Sequence, residues 1–173
     1  MDDAEAVERV RAGDVEAYRV LVERHWRGVL AVLRQRLGNS ADVEDLLQET
    51  FVRAYERLGQ LREPRKFRLW LLRIATKLCA DLRRRRREVV PGEESLRMLV
   101  ESQSSRNARP RPDTDVLDAV DALPQKYREV VMLRFLGGMT CKEIAEFLDE
   151  PAGTVRNRLF RALEMLRSKL RPF

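Results

Sequence analysis

Residues 140–166, TCKEIAEFLDEPAGTVRNRLFRALEML, constrain this chain more than any other stretch. Thr140 followed three residues later by Glu143 has the spacing of a capping box. Ile144, Ala145 and Leu148 then give a helix one apolar face. The run breaks at Leu148-Asp149-Glu150, and Pro151 is acceptable only in the first turn of a new helix. Gly153 and Thr154 open that helix, and Val155, Leu159, Ala162, Leu163, Leu166 and Leu170 recur along it at helical spacing. At about 100° per residue the opposite face carries Arg156, Asn157, Phe160, Arg161 and Glu164. A short helix, a tight turn and a longer helix with a basic outer face describe a helix-turn-helix.

The residue types on that outer face suit duplex DNA. Arginine donates in a fork to the acceptor edge of guanine or to phosphate, and asparagine can read adenine. Phe160, exposed among them, suits a thymine methyl or a sugar edge. The bland alternative is an amphipathic terminal helix whose arginines are only solvated. It explains neither the capping box nor the turn.

Charge is distributed unevenly over the 173 residues. Residues 1–60 hold 9 Lys/Arg against 12 Asp/Glu, residues 61–112 hold 15 against 6, and residues 113–173 hold 10 against 10. From Pro151 onward the balance is 6 against 1. Basic charge in the middle and at the end points to a nucleic-acid partner, and an acidic first third points to a second partner of different character. With 36% charged and 6% aromatic residues, the composition fits a helical rather than a sheet-rich protein.

Other chemistries find little support. Cys79 and Cys141 lack CxxC spacing and read as buried reduced thiols, a redox-sensing pair being the lesser reading. His25, the single histidine, reads as a structural residue on a helix face. No phosphate-binding glycine loop or nucleophile elbow occurs, so no cofactor, metal or catalytic residue is expected. The N-terminus lacks the features of a signal peptide and no apolar run approaches a membrane span, which predicts a cytoplasmic protein.

Read in order, residues 2–12 form a short helix ended near Gly13. A second helix over residues 15–37, capped by Asp14, buries Tyr18, Leu21, Val22, His25, Val29, Val32 and Leu33 and stops at Gly38. Ser40 caps a third, whose early Asp42, Glu44 and Asp45 suit its positive end. That helix buries Val43, Leu46, Leu47, Phe51, Ala54, Tyr55 and Leu58, and its other face shows Asp45, Gln48, Glu49, Val52, Arg53 and Glu56. A loop containing Pro64 leads to a fourth helix over residues 67–86, striped by Phe67, Trp70, Leu71, Ile74, Leu78 and Leu82. Arg68, Arg73, Lys77 and the run Arg83 to Arg87 make it basic beyond any need of capping, and phosphate contact is the simplest use. Pro, Gly and Ser then mark a linker over residues 88–112, with one weak turn at 96–100. Val116, Leu117, Val120 and Leu123 fit a short helix, and Pro124 starts another through Tyr127, Val130, Val131, Leu133 and Phe135 to Gly137-Gly138. The expected fold is all-α: a helical domain over 1–87, a flexible linker over 88–112, and a four-helix domain with the helix-turn-helix over 113–173.

Three stretches in this order resemble bacterial sigma factors of the extracytoplasmic-function subgroup in the sigma-70 family. AYRVLVERHWRGVLAVLRQRLGNSADVEDLLQETFVRAYERL resembles the core of the first domain and its polymerase-binding helix. FRLWLLRIATKLCADLRRRRR resembles the helix that recognises the minus-ten promoter element, and LPQKYREVVMLRFLGGMTCKEIAEFLDEPAGTVRNRLFRALEMLR the domain that recognises the minus-thirty-five element. The resemblance implies that Asp45, Gln48, Glu49, Val52 and Arg53 dock on the clamp helices of the largest catalytic subunit of core RNA polymerase. It implies capture of a flipped minus-ten base by the loop of Leu61, Arg62, Arg65 and Lys66, with Arg68, Arg73, Lys77, Arg83 and Arg84 along the fourth helix. Thr154, Arg156, Asn157, Arg158, Phe160 and Arg161 would bind the minus-thirty-five element. Lys77 stands where the family often has Asn, and Asn157 where a small Ser is common, so base preference at both elements is expected to differ.

The function implied is that of a dissociable, non-enzymatic specificity subunit for promoter DNA. An anti-sigma protein is the expected regulator, the chain being a monomer when free or bound to it one-to-one. No regulatory domain is expected beyond the last helix. Two other readings remain open on the sequence: a helix-turn-helix regulator acting on duplex DNA without core polymerase, and a sigma-like decoy that binds polymerase without initiating.

Overall fold

A computed structural model describes residues 1–38, 40–89 and 114–170. Among them are eight α-helices and no strand: α1 (Asp3–Arg11), α2 (Glu16–Leu37), α3 (Asp42–Glu56), α4 (Phe67–Val89), α5 (Thr114–Asp121), α6 (Gln125–Val131), α7 (Cys141–Leu148) and α8 (Ala152–Leu170). Short 3-10 turns at Leu58–Gln60 and Pro64–Lys66 join α3 to α4, and a π turn, Met132–Leu136, extends α6. The all-α class is as expected. Helix α4 runs to Val89, three residues past the expected 67–86 and into the expected linker, while residues 90–112, with the weak turn expected at 96–100, lie outside the described residues.

Local chemistry sets the helix ends. Asp2 accepts from the Glu5 amide at 2.8 Å to start α1. Asp14 makes a cap-like bond to the Ala17 amide at 3.3 Å, and Ser40 one to Asp42 at 3.4 Å. Gly38 ends α2 at φ +64, a conformation that favours glycine. Arg34 and Arg36 in the last turn of α2 suit its negative end.

α2 is the central helix. Leu21, His25, Val29, Val32 and Leu33 are buried as expected. His25 Nε2 lies 2.7 Å from Asp3 Oδ2, so a half-buried carboxylate satisfies the ring and ties α1 to α2. Tyr18 Oη donates to the Phe51 carbonyl at 2.6 Å, joining α2 to α3.

The two groups of helices do not have separate cores. Val130, Leu133, Met139, Ile144, Ala145 and Val155 share one buried cluster with residues of α1 to α4. A smaller cluster of Ala119, Val120, Leu123, Val131, Ala162 and Leu166 holds α5, α6 and α8 together. The π turn packs against α2, where a Cβ added at Gly28 would sit 3.8 Å from the Gly137 carbonyl and 3.7 Å from Leu72. Gly137 is itself required by close approach, since a Cβ there would stand 2.6 Å from the Leu133 carbonyl oxygen.

Four residues expected inside lie outside, one of them Leu170 at the end of α8, 37% exposed. Tyr55 is 43% exposed and meets Tyr18 edge-on at 5.0 Å. Val116 is 49% exposed because Ala119, Val120 and Leu123 make the contact with α8. Phe135 is 63% exposed. It lies within the π turn, in which the Gly137 amide reaches back five residues to the Met132 carbonyl at 2.9 Å. The additional residue rotates Phe135 off the face that α-helical spacing assigns it.

Candidate nucleic-acid interface

The helix-turn-helix is built as its sequence prescribes. The Glu143 amide donates to Thr140 Oγ1 at 3.2 Å and the Thr140 amide to Glu143 Oε2 at 2.7 Å, completing the capping box. Asp149 closes α7 in the left-handed region at φ 56. The Pro151 carbonyl then accepts from the Thr154 amide at 2.9 Å and starts α8. Val155, Ala162 and Leu166 anchor α8 inward.

Arg156, Asn157, Phe160 and Arg161 project together to solvent. Arg158 does not join them: it is half-buried and pairs with Glu150 at 2.9 Å, bracing the turn. Thr154 is half-buried at the edge of the same face. The four exposed side chains thus form a basic, donor-rich surface with one large apolar ring.

Around α4 the expected residues do not act together. Trp70, Arg73 and Lys77 follow one another at spacings of three and four on one face of α4, and Lys66 precedes them at the end of the 3-10 turn. Lys66, Arg73 and Lys77 are exposed, and the half-buried Trp70 ring lies 6.0 Å from Phe67. Arg62 and Arg65 are exposed on the preceding loop, across from the capping Asp2 and from Glu5 and Glu8 of α1. Leu61 is buried, and its carbonyl and that of Leu58 accept from Arg11, so it anchors the loop to α1. Arg83 donates to the Arg36 carbonyl and Arg86 pairs with Asp42 at 2.7 Å; these two arginines hold the end of α4 to α2 and α3. Arg84 stands 3.6 Å from Asp81.

Arg68 is the exception among these cations. Its guanidinium donates to the Gly137 carbonyl and lies 3.1 Å from Glu143 Oε1, across the boundary between the two helix groups. Burial alone would raise the Glu143 carboxyl, but bonds from Thr140 and the charge of Arg68 hold it below its ordinary value. Burial raises Glu129 and Asp121, partly offset by Arg36 for Glu129 and by Arg128 and Arg34 for Asp121. Arginines near the end of α2 therefore face carboxylates of α5 and α6.

On α3 the expected docking face is present as a surface. Asp45, Gln48 and Val52 are exposed, Val52 by 52%. Glu49 and Arg53 pair at 2.6 Å one turn apart. Among the described residues no group of three His, Cys, Asp or Glu is placed to hold a metal ion. No described helix is long and apolar enough to cross a membrane. Sequence reasoning missed two residues beside the basic face of α8, Lys126 and Tyr127 at the start of α6, because they precede the helix-turn-helix.

Comparison with known proteins adds independent support. Residues 21–89 match the family model for sigma-70 region 2, and residues 113–166 that for sigma-70, region 4. The ECF RNA polymerase sigma-E factor of Haemophilus influenzae is 32% identical, over 99% of this chain and 97% of that protein. The sigma-E factor of Escherichia coli K12 is 35% identical over 99% and 96%, and SigW of Bacillus subtilis 32% identical over 95% of each. Among solved structures, CnrH in complex with the cytosolic domain of CnrY is similar at a TM-score of 0.65 and 27% identity, covering 97% and 96% of the two chains. RpoE of Bartonella quintana, solved with the anti-sigma factor NepR, shares the fold at a TM-score of 0.64 and 18% identity.

Proposed function

The chain belongs to the extracytoplasmic-function group of sigma-70 family RNA polymerase sigma factors, and on that premise we propose how its surfaces divide the work. It is a dissociable specificity subunit of RNA polymerase that directs initiation at promoters with two spaced elements. Residues 1–87 bind core polymerase and the minus-ten element, residues 88–112 connect, and residues 113–173 bind the minus-thirty-five element. Its work is done by binding energy and not by chemistry, and its place is the cytoplasm.

The carrying observation is that one chain presents both an outward basic helix, with Arg156, Asn157, Phe160 and Arg161, and a separate polar face on α3 with Val52 exposed at its centre. A plain DNA-binding regulator would have no use for the second surface. An exposed apolar residue among charged neighbours is a usual centre for a protein contact. Asp45, Gln48, Glu49 and Arg53 surround it and give orientation. The stripe of Trp70, Arg73 and Lys77, with Lys66 and the loop of Arg62 and Arg65, offers cations and a ring to a single strand.

An anti-sigma protein is the proposed regulator. CnrH, 27% identical, is solved in complex with the cytosolic domain of a second protein, CnrY, which supports a protein partner for this chain.

Titration of the full chain against core polymerase tests the α3 assignment. Val52→Asp keeps an exposed position and places a charge at the centre of the contact; affinity should fall at least about tenfold. Equal affinity of Val52→Asp and the parent would overturn the assignment. Specific duplex binding with no affinity for core would return the chain to the class of free-standing regulators.

A further inference from the structure

A cleft of about 240 Å³ lies beside the basic face of α8, between it and the start of α6. Thr154, Asn157, Arg158 and Arg161 line it from α8, at the i, i+3, i+4 and i+7 positions of one helix face; Lys126 and Tyr127 line it from α6. No acidic residue borders it. Arg158 spends its charge on Glu150 at 2.9 Å. Among the described residues neither Lys126 nor Arg161 has a carboxylate partner. The Lys126 ammonium sits 5.1 Å from the centre of the Tyr127 ring, held over its face.

We propose that Lys126, Tyr127 and Arg161 form a seat for a backbone phosphate of duplex DNA, making α6 part of the DNA-binding surface. The inference rests on the minus-thirty-five reading of α8 and extends it. A helix lying in the major groove has a phosphate strand running along its flank, and contacts there fix register without reading sequence. The cleft opens on that flank, with Asn157 in its lining. Its donors are an ammonium, a guanidinium and a phenol hydroxyl, which together suit the non-bridging oxygens of a phosphodiester. Hydrogen bonding from Arg161, with the Lys126 charge nearby, holds the Tyr127 hydroxyl below its ordinary pKa, and a more acidic hydroxyl is a better donor to an anion. Arg161 thereby changes role: it faces a phosphate, leaving Arg156, Asn157 and Phe160 to the base edges.

The test uses the full chain assembled with core polymerase. Single phosphates flanking the minus-thirty-five element are replaced in turn by neutral methylphosphonate, and affinity is measured for the parent, Lys126→Ala and Tyr127→Phe. At 0.15 M salt the counterion-release contribution of one phosphate contact is about five-fold. The parent should lose that factor at one backbone position. Lys126→Ala should lose affinity on unmodified DNA, lose less than the parent does on methylphosphonate at that position because Arg161 still faces it, and show a shallower salt slope than the parent. Its loss should be the same for every minus-thirty-five sequence, and Tyr127→Phe should show a smaller loss at the same phosphate. Parent-like affinity and slope for both variants would overturn the seat, as would a loss confined to one base sequence. A parent that ignores the minus-thirty-five element altogether would instead overturn the reading beneath it. Lys126 is exposed on the surface, so unfolding temperatures near the parent's are expected and exclude a folding defect.

Discussion

Arg68 Nη1 lies 3.1 Å from Glu143 Oε1, and this bond ties the first turn of α4 to the capping box of α7. Glu143 has two duties: Oε2 completes the cap with Thr140, while Oε1 faces the other helix group. With Arg68 also donating to the Gly137 carbonyl, one arginine clasps the π turn and the helix-turn-helix to α4.

The two duties separate by substitution. Glu143→Gln preserves a capping box but removes the charge facing Arg68. A double-mutant cycle of Arg68→Ala and Glu143→Gln should give a coupling of about 0.5 kcal/mol, in the range of partly exposed pairs. Fluorescent labels at Glu56 and Arg167 should report a longer, broader distance for Arg68→Ala than for the parent. An unchanged distance and additive effects would remove the clasp from the account.

Thr140→Ala should cost about 1 kcal/mol in unfolding free energy, and Thr140→Ser much less, because only the hydroxyl is needed. Denaturant melts followed by circular dichroism measure both. Equal stability of Thr140→Ala and the parent would contradict the cap.

Where the sequence was legible and where it failed follows from what periodicity can detect. The helix-turn-helix was readable because its signals are local: Thr140 with Glu143, Pro151, and the alternation of Val155 and Ala162 with Arg156 and Asn157. The α3 face was readable as a surface, but only family resemblance attached a partner to it. Phe135 was misplaced because it lies within a π turn, whose wider winding departs from α-helical phase. Gly28, Ala31, Leu69 and Leu72 are buried although no single apolar stripe contains them. Helices α2 and α4 are covered on two sides, and one-sided amphipathicity cannot register the second cover. Arg68 reads as one more cation on a basic helix, because its partner is 75 residues away.

Asn157, at a position where the family commonly has Ser, should set base preference. Asn157→Ala should cost about 1–3 kcal/mol of discrimination at one base pair of the minus-thirty-five element and leave the others unchanged. Competition among single-base promoter variants, with the full chain on core polymerase, reads this directly. A uniform loss across all variants would make Asn157 a backbone contact.

The Asp3–His25 contact predicts an acid-side effect. Burial alone would raise the Asp3 carboxyl, but hydrogen bonds from His25 and Arg24 outweigh it and hold the group below its ordinary value. Its contribution is then present above the unfolded carboxylate pKa near 3.9 and is lost as pH falls through the lower folded value. The stability gap between the parent and Asp3→Asn should be constant at neutral pH and close below about pH 4. Thermal melts from pH 7 to 3 measure it; a gap that widens on acidification would contradict the sign.

The most direct test of the account is transcription in vitro with purified core polymerase and this chain on a pool of promoter fragments, with every transcript start sequenced. The account predicts starts clustered downstream of one shared pair of spaced elements, with transcription from them lost for Val52→Asp. Scattered or absent specific starts, with the chain bound to core polymerase, would contradict it and mark the protein as a sigma-like decoy.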